Sequence, residues 1–236
     1  MNPFDSTVIN FINGFAHQSR FFDTVISTLM QNDLVKGGFI MAVFWLVWFK
    51  NVDDTLKKKN REIIIATIMG ALIGVLIVRG IEHLTVLRVR PVINPDLKFV
   101  IPYGVSENLL AMWRETWYNS TSFPSDHAAL FIGLTAGLLF ISRPLGLIML
   151  SYVLIIIIFP RVYVGVHYPS DVIVGGLIGA SLSSIFNIQK LRNAVTTPVY
   201  CWYQQNPAVF YFFFFLLCYE VGSLFSGFRD LVKILF

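Results

Sequence analysis

The sequence predicts an all-α protein, a polytopic membrane helical bundle. Of its 236 residues, 56% are hydrophobic and only 14% are charged. Mean hydropathy is +0.67, and the apolar residues gather into several long stretches. A soluble core cannot enclose so much apolar surface, so lipid is the expected solvent for most of it.

Composition also limits the partners. The net charge of +4 is small and is spread along the chain. No segment combines basic residues with regularly spaced aromatics, as a nucleic-acid groove does. The expected partner is therefore the lipid bilayer, and nucleic acid is not expected.

Residues 1–33 predict amphipathic helices that lie on the membrane surface. Apolar residues recur at steps of three and four over 8–15 and again over 21–30, and polar residues such as Asn10 and Asp23 fill the gaps. This spacing is typical of interfacial helices that do not cross the bilayer.

A bundle of about six transmembrane helices is predicted to follow, since a full span takes about 20 residues. The candidate spans are residues 34–49, 62–84, 126–141, 145–159, 172–188 and 208–228. Glycines four residues apart recur within them, as at Gly175 and Gly179, and such pairs let helix backbones approach closely. The whole chain, residues 1–236, is expected to form one membrane-embedded domain.

The loops predict the orientation. Basic residues crowd the first connection, residues 50–61, and Lys190 and Arg192 lie in the fifth. The positive-inside rule makes this side cytoplasmic. Residues 85–125 and 160–171 are then expected on the extracytoplasmic face of an inner or plasma membrane. Trp113 and Trp117 in the longer of these loops are interpreted as interfacial anchors.

Two short polar motifs, the first around His127 and the second around His167, lie on that outer face. Polar groups beside hydrocarbon cost free energy, and they mark functional sites. In the second motif, Arg161 precedes His167 by six residues and Asp171 follows it by four. We expect Asp171 to accept the Nδ1–H of His167, which leaves Nε2 as a directed nucleophile. The planar guanidinium of Arg161 suits phosphate oxygens.

In the first motif, His127 follows Ser125 and Asp126 at the start of the third span. Free backbone N–H groups at a helix N-terminus favour an anion. If both motifs face one pocket, one histidine can attack phosphorus while the other protonates the departing oxygen. Arg90 is the expected second clamp. No metal and no cofactor are expected, because the arginines would repel a cation.

These residues resemble the type 2 phosphatidate phosphatase superfamily. Its signature blocks are Lys-x6-Arg-Pro, Pro-Ser-Gly-His and Ser-Arg-x5-His-x3-Asp. This chain matches them, over a motif-bearing core of roughly residues 60–188, with His83-x6-Arg90-Pro91, Pro124-Ser125-Asp126-His127 and Pro160-Arg161-x5-His167-x3-Asp171.

The resemblance implies a metal-free phosphatase that acts on lipid phosphates or diphosphates. His167 would become phosphorylated, Asp171 would support it, and His127 would be the general acid. The phosphate-binding set would be Arg90, Arg161, Ser125, His83 and Asp126. His83, Asp126 and Pro160 replace lysine, glycine and serine of the family pattern.

The leading hypothesis is hydrolysis of undecaprenyl diphosphate to the monophosphate through a phosphohistidine. Pro124-Ser125-Asp126-His127 is similar to the undecaprenyl diphosphate phosphatase branch, but Phe159-Pro160-Arg161 is similar to a branch that moves phosphate onto lipid A. The alternatives are therefore a lipid phosphotransferase and a phosphatidate or phosphatidylglycerophosphate phosphatase. A non-enzymatic lipid carrier is disfavoured, since binding alone needs neither a nucleophile nor an acid.

Overall fold

The computed structural model describes residues 2–228 and Leu231. Within this part of the chain the regular structure is helical throughout. The helices are α1 (Pro3–Asn13), α2 (Arg20–Gln31), α3 (Phe39–Phe49), α4 (Asp54–Leu84), α5 (Glu107–Thr116), α6 (Asp126–Leu138), α7 (Arg143–Tyr152), α8 (Phe159–Tyr163), α9 (Pro169–Phe186), α10 (Gln189–Gln205) and α11 (Pro207–Gly222), with π-helical segments at Leu34–Gly38 and Val153–Ile158 and a 3-10 turn at Pro91–Ile93.

Helices α4, α6 and α9 pack against one another at the centre of the molecule. The glycines make this approach possible. A Cβ at Gly179 would collide with the backbone oxygen of Ala129, and one at Gly137 would collide with the Thr67 side chain. The interpretation of the glycine pairs as helix-packing positions is confirmed at these two sites.

Several helices are apolar and long enough to cross a membrane, as the sequence predicts. Asp54–Leu84, Arg143–Tyr163 and Pro169–Phe186 meet the length and hydropathy of a span as single helices. Arg20–Gln31 and Leu34–Phe49 meet them only as a pair bent by 70°. The helices Asp126–Leu138 and Pro207–Gly222 are apolar but shorter. The count of six spans stays a prediction.

The N-terminal region forms helices where the pattern indicates them, but their polar residues do not all face away from the protein. Asp5 of α1 and Asp23 of α2 are fully buried. Phe11 and Phe21, in contrast, are 69% and 80% exposed. Interfacial placement of these helices stays a prediction. Asp23, which fills a gap between the apolar positions of the pattern, is buried inside the protein.

The basic connections and the two motifs lie at opposite ends of the bundle. The first turns of α4 reach α10, where the Lys58 ammonium lies 5.7 Å from the ring centroid of Tyr200. The last turns of α4 reach the start of α6, where Arg79 pairs with Asp126. Lys58 and Arg79 are 21 residues apart on α4, which corresponds to about 32 Å at 1.5 Å per residue.

Candidate active site

The candidate site forms where three segments meet at one end of the bundle. They are the first turn of α6, the turn between α8 and α9, and the chain that follows α4. Ser125 caps α6, since its Oγ accepts the N–H of Ala128 at 3.4 Å. Its own N–H donates to the carbonyl of Asp171 at 3.0 Å. This backbone contact joins the two motifs directly.

His167 is buried, and a backbone carbonyl sets its tautomer. Nδ1 lies 2.9 Å from the Ser122 carbonyl oxygen but 3.9 Å from Oδ2 of Asp171. Because a carbonyl can only accept, Nδ1 carries the proton and Nε2 keeps a free lone pair. The expected direct hydrogen bond from His167 to Asp171 is therefore absent, and Ser122 takes that place.

Asp171 instead orders the start of α9. Its Oδ2 accepts the backbone N–H of Tyr168 at 2.8 Å, which is the capping arrangement of this helix. Its other oxygen pairs with the guanidinium of Arg88. The carboxylate thus fixes the turn that carries His167 and adds negative charge 3.9 Å from its ring.

His127 has its own carboxylate partner, Asp126. Oδ1 of Asp126 accepts the backbone N–H of His127 at 2.7 Å and lies 2.8 Å from its ring Nδ1. The second oxygen pairs with Arg79. Because a carboxylate only accepts, Nδ1 of His127 is the protonated nitrogen and Nε2 is directed elsewhere.

The two histidines face each other. A ring nitrogen of His127, a ring nitrogen of His167 and a carboxylate oxygen of Asp126 all lie within 4.8 Å of one another. Such a trio has the donor types of a metal site. Its carboxylate is already paired with Arg79, and nearby arginines oppose a cation, so the donor set suits an anion better.

Arg90 and Arg161 bring positive charge without a matching carboxylate. Both are buried, and neither forms a salt bridge with any residue in the described ranges. Arg90 donates to the carbonyls of Val166 and Thr121 at 3.1 and 3.3 Å, and its Nε has no partner among described residues. Burial lowers the pKa of Arg90, but arginine still stays charged at neutral pH. A buried, unpaired cation is costly, so this pair favours an anionic ligand.

The pKa of His167 is lowered from 6.5. Burial is the largest cause, the Asp171 carboxylate opposes it, and the positive charge of Arg90 adds to it. The imidazole is consequently neutral at neutral pH, which is the form that can act as a nucleophile.

Of the predicted residues, the structure brings seven to this site and leaves one at its edge. His127, His167, Asp171, Arg90, Ser125 and Asp126 are connected by the contacts above. The backbone carbonyl of Arg161 accepts the N–H groups of Val166 and His167 at 2.8 and 3.3 Å, which places Arg161 beside them. His83 is exposed in the last turn of α4, and it forms no side-chain hydrogen bond or salt bridge within residues 2–228.

Sequence reasoning did not assign Arg79, Arg88 or Ser122 to the site, and it interpreted Trp117 as an interfacial anchor. Arg79 lies one helical turn before His83 and reaches Asp126, and its signal is a charge inside an apolar span. Trp117 places its ring 4.5 Å from the Arg90 guanidinium carbon, so it forms part of the site wall, and its role as an interfacial anchor stays a prediction. Ser122 acts through its carbonyl, which no side-chain pattern can indicate.

Known proteins match this chain over the region that contains the motifs. The PAP2 superfamily matches residues 65–194, which include all three signature blocks. Undecaprenyl-diphosphatase BcrC of Bacillus subtilis (strain 168) is 25% identical over 169 residues, 72% of this chain and 75% of the relative. Lipid A 1-diphosphate synthase of Escherichia coli (strain K12) is 28% identical over 181 residues, 74% of this chain and 71% of the relative. No solved structure matches the chain significantly.

The family match covers more than half of the chain, and it falls on the segments that build the site. The paired histidines and buried arginines agree with a family of enzymes that act on lipid phosphates. The chain is a helical membrane enzyme of the lipid phosphatase and phosphotransferase type, and it belongs to the PAP2 superfamily.

Proposed function

We propose that this enzyme hydrolyses a prenyl diphosphate, with undecaprenyl diphosphate as the substrate and the monophosphate as product. The observation that carries the proposal is the pair of buried arginines, Arg90 and Arg161, without carboxylate partners beside two facing histidines. A terminal phosphate supplies the anion that these arginines lack. The likeness to undecaprenyl-diphosphatase BcrC supports the choice of lipid.

In the first step, Nε2 of His167 attacks the terminal phosphorus of the diphosphate. A nitrogen–phosphorus bond forms, and the bond from phosphorus to the bridging oxygen breaks. His127, held by Asp126, donates a proton to that oxygen, so the prenyl monophosphate departs protonated. The tautomer set by Ser122 leaves the attacking lone pair free.

In the second step, water attacks the phosphohistidine. His127, now neutral, accepts a proton from the water, the nitrogen–phosphorus bond breaks, and inorganic phosphate leaves. His167 regains its neutral form and His127 its proton. Arginine donors bear the charge on the transferred phosphoryl group, so the step needs no metal.

We assign Asp126 the role of orienting His127, and not that of a direct phosphate ligand. Its carboxylate faces the His127 ring and Arg79, and a second anion would repel it. Arg79 then supplies positive charge near the position that the family pattern gives to lysine. Direct phosphate binding by His83 and Ser125 stays a prediction.

The site is proposed to lie at the extracytoplasmic face of the inner or plasma membrane. The basic connections lie at the opposite end of the bundle, and lysine and arginine favour the cytoplasmic side. The bilayer would hold the prenyl tail while the diphosphate meets the arginines at the interface.

A lipid phosphotransferase is the second candidate, and the likeness to lipid A 1-diphosphate synthase favours it. The first step would be identical. In the second, a lipid hydroxyl would replace water, so that phosphate appears on lipid A or another lipid.

One experiment separates the two functions. The purified protein receives undecaprenyl diphosphate labelled at the terminal phosphate, with EDTA present, in the absence or presence of lipid A. We expect labelled inorganic phosphate in both mixtures. Label on lipid A, with little release in its absence, would assign the phosphotransferase. A rate in His167→Ala equal to that of the unmodified protein would reject both.

A further inference from the structure

Asp5 is a fully buried carboxylate on α1, far in sequence from every motif. Its Oδ1 accepts the N–H of Ser170 at 2.9 Å. Its Oδ2 accepts the Ser170 hydroxyl at 2.6 Å, the Asn2 side-chain amide at 2.8 Å and an N–H of Arg88. The acceptor capacity of a carboxylate is thus filled.

Arg88 links Asp5 to the site. One of its terminal nitrogens pairs with Asp5, and the other pairs with Asp171 and donates to the Ser170 hydroxyl at 2.9 Å. Its guanidinium carbon also lies 4.1 Å from the Tyr168 ring centroid. The Asp5 carboxylate, the Arg88 guanidinium and the Asp171 carboxylate thus form a continuous series of contacts from α1 to the first turn of α9.

The charges in this chain of contacts depend on one another. Burial by itself raises the pKa of Asp5, but hydrogen bonds from Ser170 and the charge of Arg88 outweigh it, so the pKa lies below its ordinary value. Asp5 is therefore ionised at neutral pH. Without that charge, Arg88 would keep a single carboxylate partner and would be free to shift toward or away from Asp171.

We infer that Asp5 is a positioning residue for catalysis, which acts through Arg88 on Asp171 and so on the turn that carries His167. The inference rests on the proposed function of His167 and Asp171. Asp5 does not touch the phosphate. It holds Arg88 in the geometry that fixes Asp171, and it holds Ser170 at the start of α9.

The placement of Asp171 matters because its Oδ2 caps the Tyr168 N–H and lies 3.9 Å from the His167 ring. A shift of this carboxylate would move both the turn and the charge beside the nucleophile. Displacing reacting groups by about 1 Å can cost about a hundredfold in rate. The N-terminal helix would then be part of the active-site support, besides any contact with the membrane.

The test is Asp5→Asn, which keeps the shape and removes the charge. We expect kcat to fall about tenfold or more, since misplacement of catalytic groups slows the chemical step. KM for undecaprenyl diphosphate is expected to stay within about twofold, because the phosphate contacts remain. Ser19→Ala is the matched control, since it removes the N-cap of α2 and leaves the Asp5 contacts intact. Its kcat is expected to equal that of the unmodified protein.

A double-mutant cycle with Asp171→Asn tests the route. If Asp5 acts through Asp171, the double variant is no slower than Asp171→Asn alone, because coupled residues are not additive. Multiplied losses would overturn the inference, as would an unchanged kcat in Asp5→Asn or an equal loss in Ser19→Ala. Should Asp5→Asn not fold, Ser170→Ala replaces it. A severalfold lower kcat is expected there, and an unchanged kcat would overturn the inference.

The proposed function has a separate readout. His167→Ala at the rate of the unmodified protein would reject the phosphohistidine mechanism whatever Asp5→Asn does. An inactive His167→Ala beside a fully active Asp5→Asn would reject only the role of Asp5.

Discussion

The two histidines of the site are oriented by acceptors of different kinds. Nδ1 of His167 faces a backbone carbonyl, whereas Nδ1 of His127 faces a carboxylate. A carboxylate stabilises a protonated imidazole more strongly than a neutral carbonyl does. The carbonyl partner of His167 agrees with a neutral imidazole there, and the role of His127 as proton donor stays a proposal.

The pH dependence of activity should reflect the neutral state of His167. Its pKa is lowered from 6.5, mainly by burial, so the imidazole stays neutral as the pH falls through 6.5. The acidic limb of kcat/KM is therefore expected below pH 6.5, with activity lost as His167 becomes protonated. Asp171, Arg90, Asp126 and His127 are the charged or titratable groups around it. A pH–rate profile of the purified enzyme measures this limb, and an acidic limb above pH 6.5 would contradict the expectation.

Asp126 can be tested through the leaving group. Asp126→Asn removes the charge that favours a protonated His127, so kcat for undecaprenyl diphosphate should fall by about a hundredfold, as for loss of general acid catalysis. A substrate such as para-nitrophenyl phosphate, whose leaving group needs no proton, should lose much less. Steady-state rates with both substrates make the comparison.

The control for this pair of rates is Asp96→Asn. Asp96 is an exposed carboxylate in the chain between α4 and α5, and it forms no salt bridge with described residues. Its removal should leave both rates unchanged. Equal losses for the two substrates in Asp126→Asn would mean that Asp126 does not act through leaving-group protonation.

At the scale of single residues, motif spacing could predict which side chains gather at the candidate site but not the residues that support them. His127, His167 and both buried arginines follow from spacing at the ends of apolar segments. The Ser122 carbonyl, Asp5 and Arg88 could not be assigned this way. Their roles depend on contacts between residues that are distant in sequence, 165 positions apart for Asp5 and Ser170.

Among the helices, the contact of α6 with α9 holds the two motifs together. Gly175 lets the second turn of α9 approach Ser125, since a Cβ there would collide with the Ser125 carbonyl oxygen. Gly179 lies one turn later and faces Ala129. Any side chain at these positions would push the histidines apart.

Gly179→Ala is therefore expected to destabilise the protein and lower its activity. Forcing a methyl group against the Ala129 backbone costs about 1–3 kcal/mol, as overpacking does. Gly80→Ala is the matched control, because its Cβ would meet nothing within 4 Å and alanine favours a helix over glycine by about 1 kcal/mol. Thermal unfolding in detergent should show a lower Tm for Gly179→Ala only, and equal Tm values would contradict this packing.

Periodicity and apolar length predict the helices well where a span is continuous, as in α4 and α9. They do less well for helices α1 and α2, where they do not predict which polar residues are buried. Asp23 lies in a polar gap of the pattern, yet it is buried and pairs with the Tyr163 hydroxyl of α8. Hydrophobic spacing identifies a helix and its apolar face, but it cannot identify a polar partner on another helix.

At the scale of the whole molecule, the site and the basic connections occupy opposite ends. This separation makes the orientation testable with the native cysteines, since Cys201 is exposed on α10 and Cys218 is buried. In intact cells, a membrane-impermeant maleimide should leave the native protein unlabelled. A Tyr118→Cys variant should be labelled, because Tyr118 is 75% exposed near the site.

Lysed cells supply the control for that labelling, because Cys201 should react once the membrane is open. Labelling of Cys201 in intact cells, with none at position 118, would reverse the proposed orientation.

The helical class and the family could be predicted from composition and motifs. The bend of 70° between α2 and the following helical segment could not, because local sequence does not define the angle between two packed helices.

The central claim is that His167 carries the phosphoryl group, and rapid quenching tests it most directly. The enzyme is mixed with undecaprenyl diphosphate labelled at its terminal phosphate, in EDTA, and stopped within one turnover. The account predicts acid-labile, alkali-stable label on the protein at His167, and no protein-bound label in His167→Ala. Release of labelled phosphate at an undiminished rate by His167→Ala, or label on another residue, would contradict it.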